Sequence, residues 1–410
     1  MAIWKKRSLF INPTFRTKKC HNQLLKVMFR ANPQRTGVYN TTGIRHFKEV
    51  KWKLQLTSFD VHFSACPTIA DGVICIGDGK RNFYVIDTQT GQQRWTFNPG
   101  SRYIASPTVA DGIVYICSSD GIIYAIELQT KQQRWQFKIT ERIGLGEYYS
   151  PVVVNGIVYI GSPEGYLYVL DASTGKQIWI LQTTGNQLTS APSIADGILY
   201  LGSSDGCVTS VDIETKQRKW VFQPSYPLIL DSPFLPVITE KIVYCGSKGQ
   251  ALVAVDIKTG EQKWTFEPEN ATLLYPHLTY PSVANGVVCV GSSNTIYGLD
   301  EATGQILWRF ATETSSSYPV IANEVVYVGI NGVLWALKLA TGQALWQFKP
   351  PEPELPLTDP RRWLHTVGKL AVEKGWIAYA PTVLSPAIAD EVVYVLVYYS
   401  LGCTVLYALN

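Results

Sequence analysis

The sequence predicts an all-β protein: a closed eight-bladed β-propeller of four-stranded antiparallel blades. Its last blade is completed by a strand from near the N-terminus. Three observations predict this. A tryptophan recurs about every 42 residues, at Trp52, Trp95, Trp135, Trp179, Trp220, Trp264, Trp308 and Trp346, and such a period marks repeat arrays. Between the tryptophans the chain alternates as strands do, as in IVYI and IIYAIEL, and is cut by tight-turn residues. The two ends of the array are incomplete in complementary ways.

Each repeat opens on a proline, at Pro67, Pro107, Pro151, Pro192, Pro233, Pro281, Pro319 and Pro386. Strand A follows, as in SPTVAD and APSIAD. A turn such as Asp111-Gly112 leads to strand B, and Ser119-Asp120-Gly121 leads from B to C. The third turn has the form Asp-x-x-Thr-Gly, at Asp87 to Gly91, Asp171 to Gly175, Asp256 to Gly260 and Asp300 to Gly304. Glycine supplies the positive φ that such turns need, and Asp bonds back to the turn backbone. Lys131 and Lys216 stand in the glycine slot of two repeats, so these turns are expected either to carry a left-handed side-chain residue at a small cost or to be of another type. Strand D ends each repeat with its Trp, expected to wedge between neighbouring blades.

The last repeat runs SPAIADEVVYVLVYYS to CTVLYALN without a Thr-Gly turn or Trp strand. Val50-Lys51-Trp52-Lys53-Leu54 is a strand D with nothing before it. Eight ABC units and eight D strands make eight blades, the eighth shared between the termini, which removes both open edges. The expected organisation is a basic extension and lead-in over residues 1–47 and a propeller over 48–410, with a long insertion at 349–384.

The composition suits this reading. Of 410 residues 46% are hydrophobic and 17% charged, with 12 Trp and 23 Tyr. Aromatic and β-branched residues favour strands. The charge is uneven: residues 1–50 hold 11 Lys/Arg and one acid, whereas the rest carries about −6. An acidic body argues against nucleic acid as a partner. No apolar run is long enough for a spanning helix. The start MAIWKKRSLFINPTFR breaks too early for a secretory signal. Met28 begins a natural start, MFRANPQRTGVY, so residues 1–27 are read as an extension to the native chain. Cys75, Cys117, Cys245 and Cys289 fall inside strands and are expected as buried free thiols. Free thiols favour a cytoplasmic location, or a periplasmic one if the start is misassigned.

Repeats of the form SP-x-VADG-x-VY-x-GS-x-DG-x-LYALD-x-x-TG-x-x-x-W resemble the PQQ-like, quinoprotein-type β-propeller repeat over residues 50–410. Arg35-Thr36-Gly37-Val38-Tyr39 resembles the lead-in that precedes such propellers. The resemblance implies one of three functions: a non-enzymatic binding scaffold, an outer-membrane protein assembly factor-like scaffold, or a quinone-dependent dehydrogenase. The dehydrogenases of that family hold pyrroloquinoline quinone with Ca²⁺, an Asp base and often an adjacent Cys-Cys disulfide. No Cys-Cys pair occurs in this chain, and Asp60, Glu141, Glu147, Asp231 and Glu269 share no ligand spacing. The five histidines form no HxH or HExxH, so no metal site is expected.

The A–B and C–D turns share one face of a propeller and are nearly uniform here. The D–A links on the other face run from 11 to 17 residues between Trp and Pro, and 40 in the last repeat. Variable loops on a rigid frame carry binding. The expected partner face is therefore Tyr103, Glu147, Tyr148, Tyr149, Asp231, His277, Tyr280, Tyr318 and Trp363. Trp363 lies on a helix expected from Asp359 to Lys374-Gly375 within the long insertion. The partner class is a protein or an extended peptide, and the chain is expected to be a monomer with no cofactor of its own.

Overall fold

The structure is a computed structural model. It describes residues 30–56, 66–77, 81–100, 105–140, 150–182, 191–203, 206–224, 235–247, 251–268, 278–312, 314, 316–351, 381–399 and 403–410. Among these residues no helix is long and apolar enough to cross a membrane.

The described strands form eight antiparallel sheets arranged as the blades of a propeller. Blade 3 shows the pattern: strand A is Val152–Val154, B Ile157–Gly161, C Tyr166–Asp171 and D Gln177–Gln182, in that order across the sheet. Blades 1 to 7 take residues 68–97, 108–138, 152–182, 193–222, 237–266, 282–311 and 320–348. Strands B and C are buried almost throughout, because a neighbouring blade covers each face. Their sequences are accordingly near-continuous apolar runs, such as Val73–Gly77 and Phe83–Asp87. The D strands lie at the rim and alternate exposed and half-buried. Between A and B, Asp111 and Gly112 have φ of 51° and 74°, the positive pair that a two-residue hairpin turn needs.

The proline opening blade 5 is corrected by the structure. Strand A there is Val237–Ile238, so Pro236 and not Pro233 stands in the opening slot. The Ser193 hydroxyl donates to Pro236 O at 2.6 Å, just as Thr108 donates to Pro151 O and Ser282 to Pro319 O in their neighbours. These bonds stitch successive inner strands together. Blade 5 lacks the Ser-Pro or Ala-Pro signature at this site, and the LPV sequence hid the register.

The eighth blade closes as expected. Val50–Leu56 pairs antiparallel with Cys403–Leu409, with Trp52 opposite Ala408 and Leu54 opposite Leu406. The amides of Lys48 and Glu49 donate to Asn410 O, and Asn410 N donates to Glu49 O. Blade 8 also has a strand that the sequence does not announce. Thr382–Val383 pairs with Tyr398 and Val397, ahead of the inner strand Ala387–Ala389. Strand B of this blade is eight residues long, Val392–Tyr399, and offers edge to both segments.

The tryptophans join blade to blade. The indole N–H groups of Trp52, Trp95, Trp135, Trp220, Trp264 and Trp308 each donate forward to a carbonyl in the C–D turn of the next blade. Trp52 reaches Thr88 O, Trp135 reaches Ala172 O and Trp264 reaches Glu301 O, at 2.9, 2.9 and 3.1 Å. The ring also lies over the glycine of that turn. A Cβ on Gly91 would sit 2.6 Å from the Trp52 ring, closer than side-chain atoms approach one another. The slot therefore wants glycine twice over, for its φ of 68° and for its missing Cβ. Lys131 and Lys216 hold the same slot at φ of 62° and 61°, and the Lys216 ammonium lies over the Trp179 ring at 5.8 Å. Trp135, Trp264 and Trp308 are buried, and the other five are half-buried.

The turn aspartates are held ionised. The Arg94 side chain, then the Thr90 amide, hold Asp87 at about 2. The Ser173 and Thr174 hydroxyls hold Asp171 at about 2. The cysteines in strands are buried free thiols, as expected, and burial pushes Cys245 up to about 12.

Two outcomes follow from these contacts. Trp264→Ala, at a buried wedge, is expected to lower the unfolding free energy by about 3–5 kcal/mol in denaturant titration; the half-buried Trp179→Ala is expected to cost clearly less, and equal losses would deny the wedge its role. The Asp87 and Asp171 carboxylates titrate near 4 when unfolded and near 2 when folded. Their contribution to stability is thus present above about pH 4 and lost as pH falls through about 2. NMR titration of Asp87 is expected to place its midpoint near 2, and a midpoint near 4 would break the assignment.

Candidate functional site

The inner strand of every blade turns one unpaired edge toward the axis. Such an edge carries N–H groups that need acceptors. Residues 33–37 supply them, one blade after another. Ile194 N donates to Pro33 O, Ile238 N to Gln34 O, Val283 N to Thr36 O and Ile321 N to Gly37 O, at 2.9, 3.0, 3.2 and 2.9 Å. The strap thus lines the channel along blades 4, 5, 6 and 7. Val38–Tyr39 then adds to blade 7 as a parallel fifth strand, with Val38 opposite Ile321 and Tyr39 opposite Ala322. Gly37, at φ of 69°, lies so close to Ser282 Oγ that a side chain there would collide with it.

Two guanidinium groups fill the channel beside this strap. Arg35 is fully buried and donates to Ser150 O at 3.2 Å and Pro192 O at 3.4 Å. Arg30 donates to Arg35 O at 3.0 Å, Tyr280 O at 3.3 Å and Ser282 Oγ at 3.0 Å, and also to Pro281 O. Burial lowers Arg30 to about 10; burial and then the Arg30 charge lower Arg35 to about 9. Both are still cations at neutral pH. Carbonyls suit them because guanidinium groups carry several donors in a fixed fork.

Side chains that immediately precede the strand A prolines gather at the D–A end of the channel. Ala191, Leu235 and Tyr280 form a buried cluster with Cys66 and Tyr318 packed on it. The Tyr280 and Tyr318 rings lie 4.7 Å apart, and the Arg30 guanidinium lies 5.6 Å from the Tyr280 centroid. Of the expected partner-face residues, these two tyrosines are described, and they pack together against the plug. Tyr103, Glu147, Tyr148, Tyr149, Asp231, His277 and Trp363, and the helix expected at 359–375, lie outside the described residues.

The strap leaves the channel at the opposite end and crosses the face of the A–B and C–D turns. There Ile44 O accepts the Trp346 indole N–H at 2.8 Å. Blade 8 has no Thr-Gly turn for Trp346 to reach, and the lead-in stands in for it. Between the strap and the A–B turns of blades 6 and 7 lies an open cleft of about 810 Å³. No residue pattern marks Arg30 or this cleft in the sequence, and Arg35 is marked only as part of the lead-in. The one signal was the RTGVY string, whose Arg, Gly and Val–Tyr each have a place in the plug.

A quinone held by Ca²⁺ requires an oxygen-rich, anionic donor set, on the order of 6–8 oxygens around the ion. Among the described residues no three His, Cys, Asp or Glu side chains gather to bind a metal. The channel centre instead holds two cations. The described residues do not fit a calcium–quinone pair in the channel.

The comparisons agree with the architecture. The family profile described as outer membrane protein assembly factor BamB matches residues 48–144, 119–274 and 270–375. The chain belongs to this family of PQQ-like β-propellers. Among solved structures it is similar to a quinohemoprotein alcohol dehydrogenase from Comamonas testosteroni, at 14% identity and a TM-score of 0.72, over 93% of this chain and 80% of that one. It is similar to BamB from Moraxella catarrhalis at 16% identity and a TM-score of 0.61, over 87% and 97%. It is also similar to the computationally designed Ika8 protein at 18% identity and a TM-score of 0.65, over 86% and 99%. At these identities the likeness is one of fold. No curated protein sequence matches the chain.

Arg35→Ala takes the buried guanidinium away from the Ser150 and Pro192 carbonyls and leaves a cavity. The expected loss is about 3 kcal/mol of unfolding free energy, read as a lower melting temperature. A loss no larger than that of a surface Arg94→Ala would show that the strap is not held by this side chain.

Proposed function

We propose that the chain is a non-enzymatic protein- or peptide-binding scaffold that recognises its partner on the D–A face. The observation that supports this reading is the channel itself. Its inner edges in blades 4 to 7 are paired with residues 33–39, and Arg30 and Arg35 lie buried beside them. That leaves the variable links and the 349–384 insertion as the surface with freedom to differ from blade to blade. The two described tyrosines of that face pack on each other, and Tyr280 packs against Arg30. An outer-membrane protein assembly scaffold is the second reading, supported by the family profile over residues 48–375. Six free cysteines among the described residues favour a reducing compartment for the first reading.

Affinity capture from the native organism with the full chain, and with residues 352–380 replaced by a short Gly-Ser linker, separates the readings. A specific partner lost with the insertion is the expected result, and partners fully retained would remove the insertion from the recognition surface. Recovery of outer-membrane β-barrel machinery would favour the second reading. In parallel, the purified chain is expected to show no change in quinone absorbance when titrated with pyrroloquinoline quinone and Ca²⁺. Saturable binding with oxidation of an alcohol would overturn both scaffold readings.

A further inference from the structure

We propose that the cleft at the A–B face of the channel binds a neutral oligosaccharide. This site lies at the opposite end of the channel from the proposed partner face and goes beyond that reading. Its volume of about 810 Å³ is in the range of small-molecule sites.

The lining narrows the ligand class. Among the described residues no Lys, Arg or His lines the cleft, so nothing there favours a phosphate or a carboxylate. Glu324 is its one acid, too few for a metal ion that takes several oxygens. That carboxylate already pairs with Arg45 through Oε2 at 3.0 Å. Amide and hydroxyl side chains outnumber apolar ones, which disfavours a lipid or a flat apolar molecule. An extended peptide would need a strand edge. The nearby inner edge of blade 7 is already taken by Val38–Tyr39.

What remains is an uncharged ligand rich in hydroxyls. The carboxamides of Asn40, Asn285 and Asn323 are exposed in the cleft and make no hydrogen bond to described residues. A carboxamide offers donor and acceptor in one plane, which is what neighbouring sugar hydroxyls require. The neutral amide is not demanded by the turns. Asn285 and Asn323 hold the left-handed slot at φ of 50° and 40°, and Asp71, Asp111, Asp196 and Asp390 hold the same slot in other blades at 46° to 51°. Asp and Asn both tolerate that conformation. The same slot in blade 3 carries Asn155, away from the cleft, and provides a control.

The test uses the full chain with maltotriose, cellotriose and triacetylchitotriose as probes, read by saturation-transfer NMR and calorimetry. At least one is expected to bind, with Kd below about 1 mM. The double variant Asn285→Asp, Asn323→Asp keeps both turns by the precedent of the sister blades. It is expected to weaken binding about tenfold or more, as amide donors are lost and charge is added. Thr42→Val, on the strap side, is expected to weaken it less, and Asn155→Asp to leave it unchanged. Melting temperatures like that of the parent chain confirm intact folds. No binding of any probe at about 10 mM, equal binding by the double variant, or displacement of the sugar by Ala-Ala-Ala at similar concentration would each overturn the proposal.

Discussion

The pairing of Val50–Leu56 with Cys403–Leu409 is the constraint on which the rest depends. A ring of blades has no edges only if its first and last pieces meet in one sheet. Once they do, Trp52 stands at the correct place to donate into the turn of blade 1, and Trp95, Trp135, Trp220, Trp264 and Trp308 repeat the contact. The same pairing fixes where the lead-in must arrive. Residues 40–47 have to travel from the channel to the start of Val50, and on the way Ile44 accepts the indole of Trp346. The blade that lacks its own Thr-Gly turn is thereby supplied with a substitute acceptor.

The blade architecture was legible because it is encoded in side chains. Tryptophan, Thr-Gly and Asp-Gly recur, and each has a local physical reason to recur: a wedge, a left-handed residue under an indole, a tight hairpin. Register failed only at Pro236, where Leu235-Pro236-Val237 departs from the Ser-Pro pattern and a second proline stood three residues earlier. The strand at Thr382–Val383 was not legible, since it forms against the extra length of Val392–Tyr399 and not from a pattern of its own.

The candidate site was much less legible. Arg30 and Arg35 lie in a stretch crowded with Lys and Arg, where a buried cation looks like its solvated neighbours. Their partners are chiefly backbone carbonyls of Ser150, Pro192, Tyr280 and Pro281, which leave no mark in residue type. The ring of residues just before each strand A proline does leave a mark. It is small at Ser106, Ser150 and Ser385 and bulky at Leu235, Tyr280 and Tyr318. That asymmetry leaves room for Arg35 on one side of the axis and closes the other side.

The threaded strap also bears on biosynthesis. Its acceptors are shared among blades 4 to 7, and its continuation pairs with Cys403–Leu409. Domains generally begin to fold from the N-terminal side as they emerge from the ribosome. Here the strap backbone meets its first partner, Ile194, only with blade 4 and its last, Ile321, only with blade 7. The strap therefore completes its pairing only after blade 7 has been made, and the final sheet is sealed later still, when Cys403–Leu409 reaches Val50–Leu56.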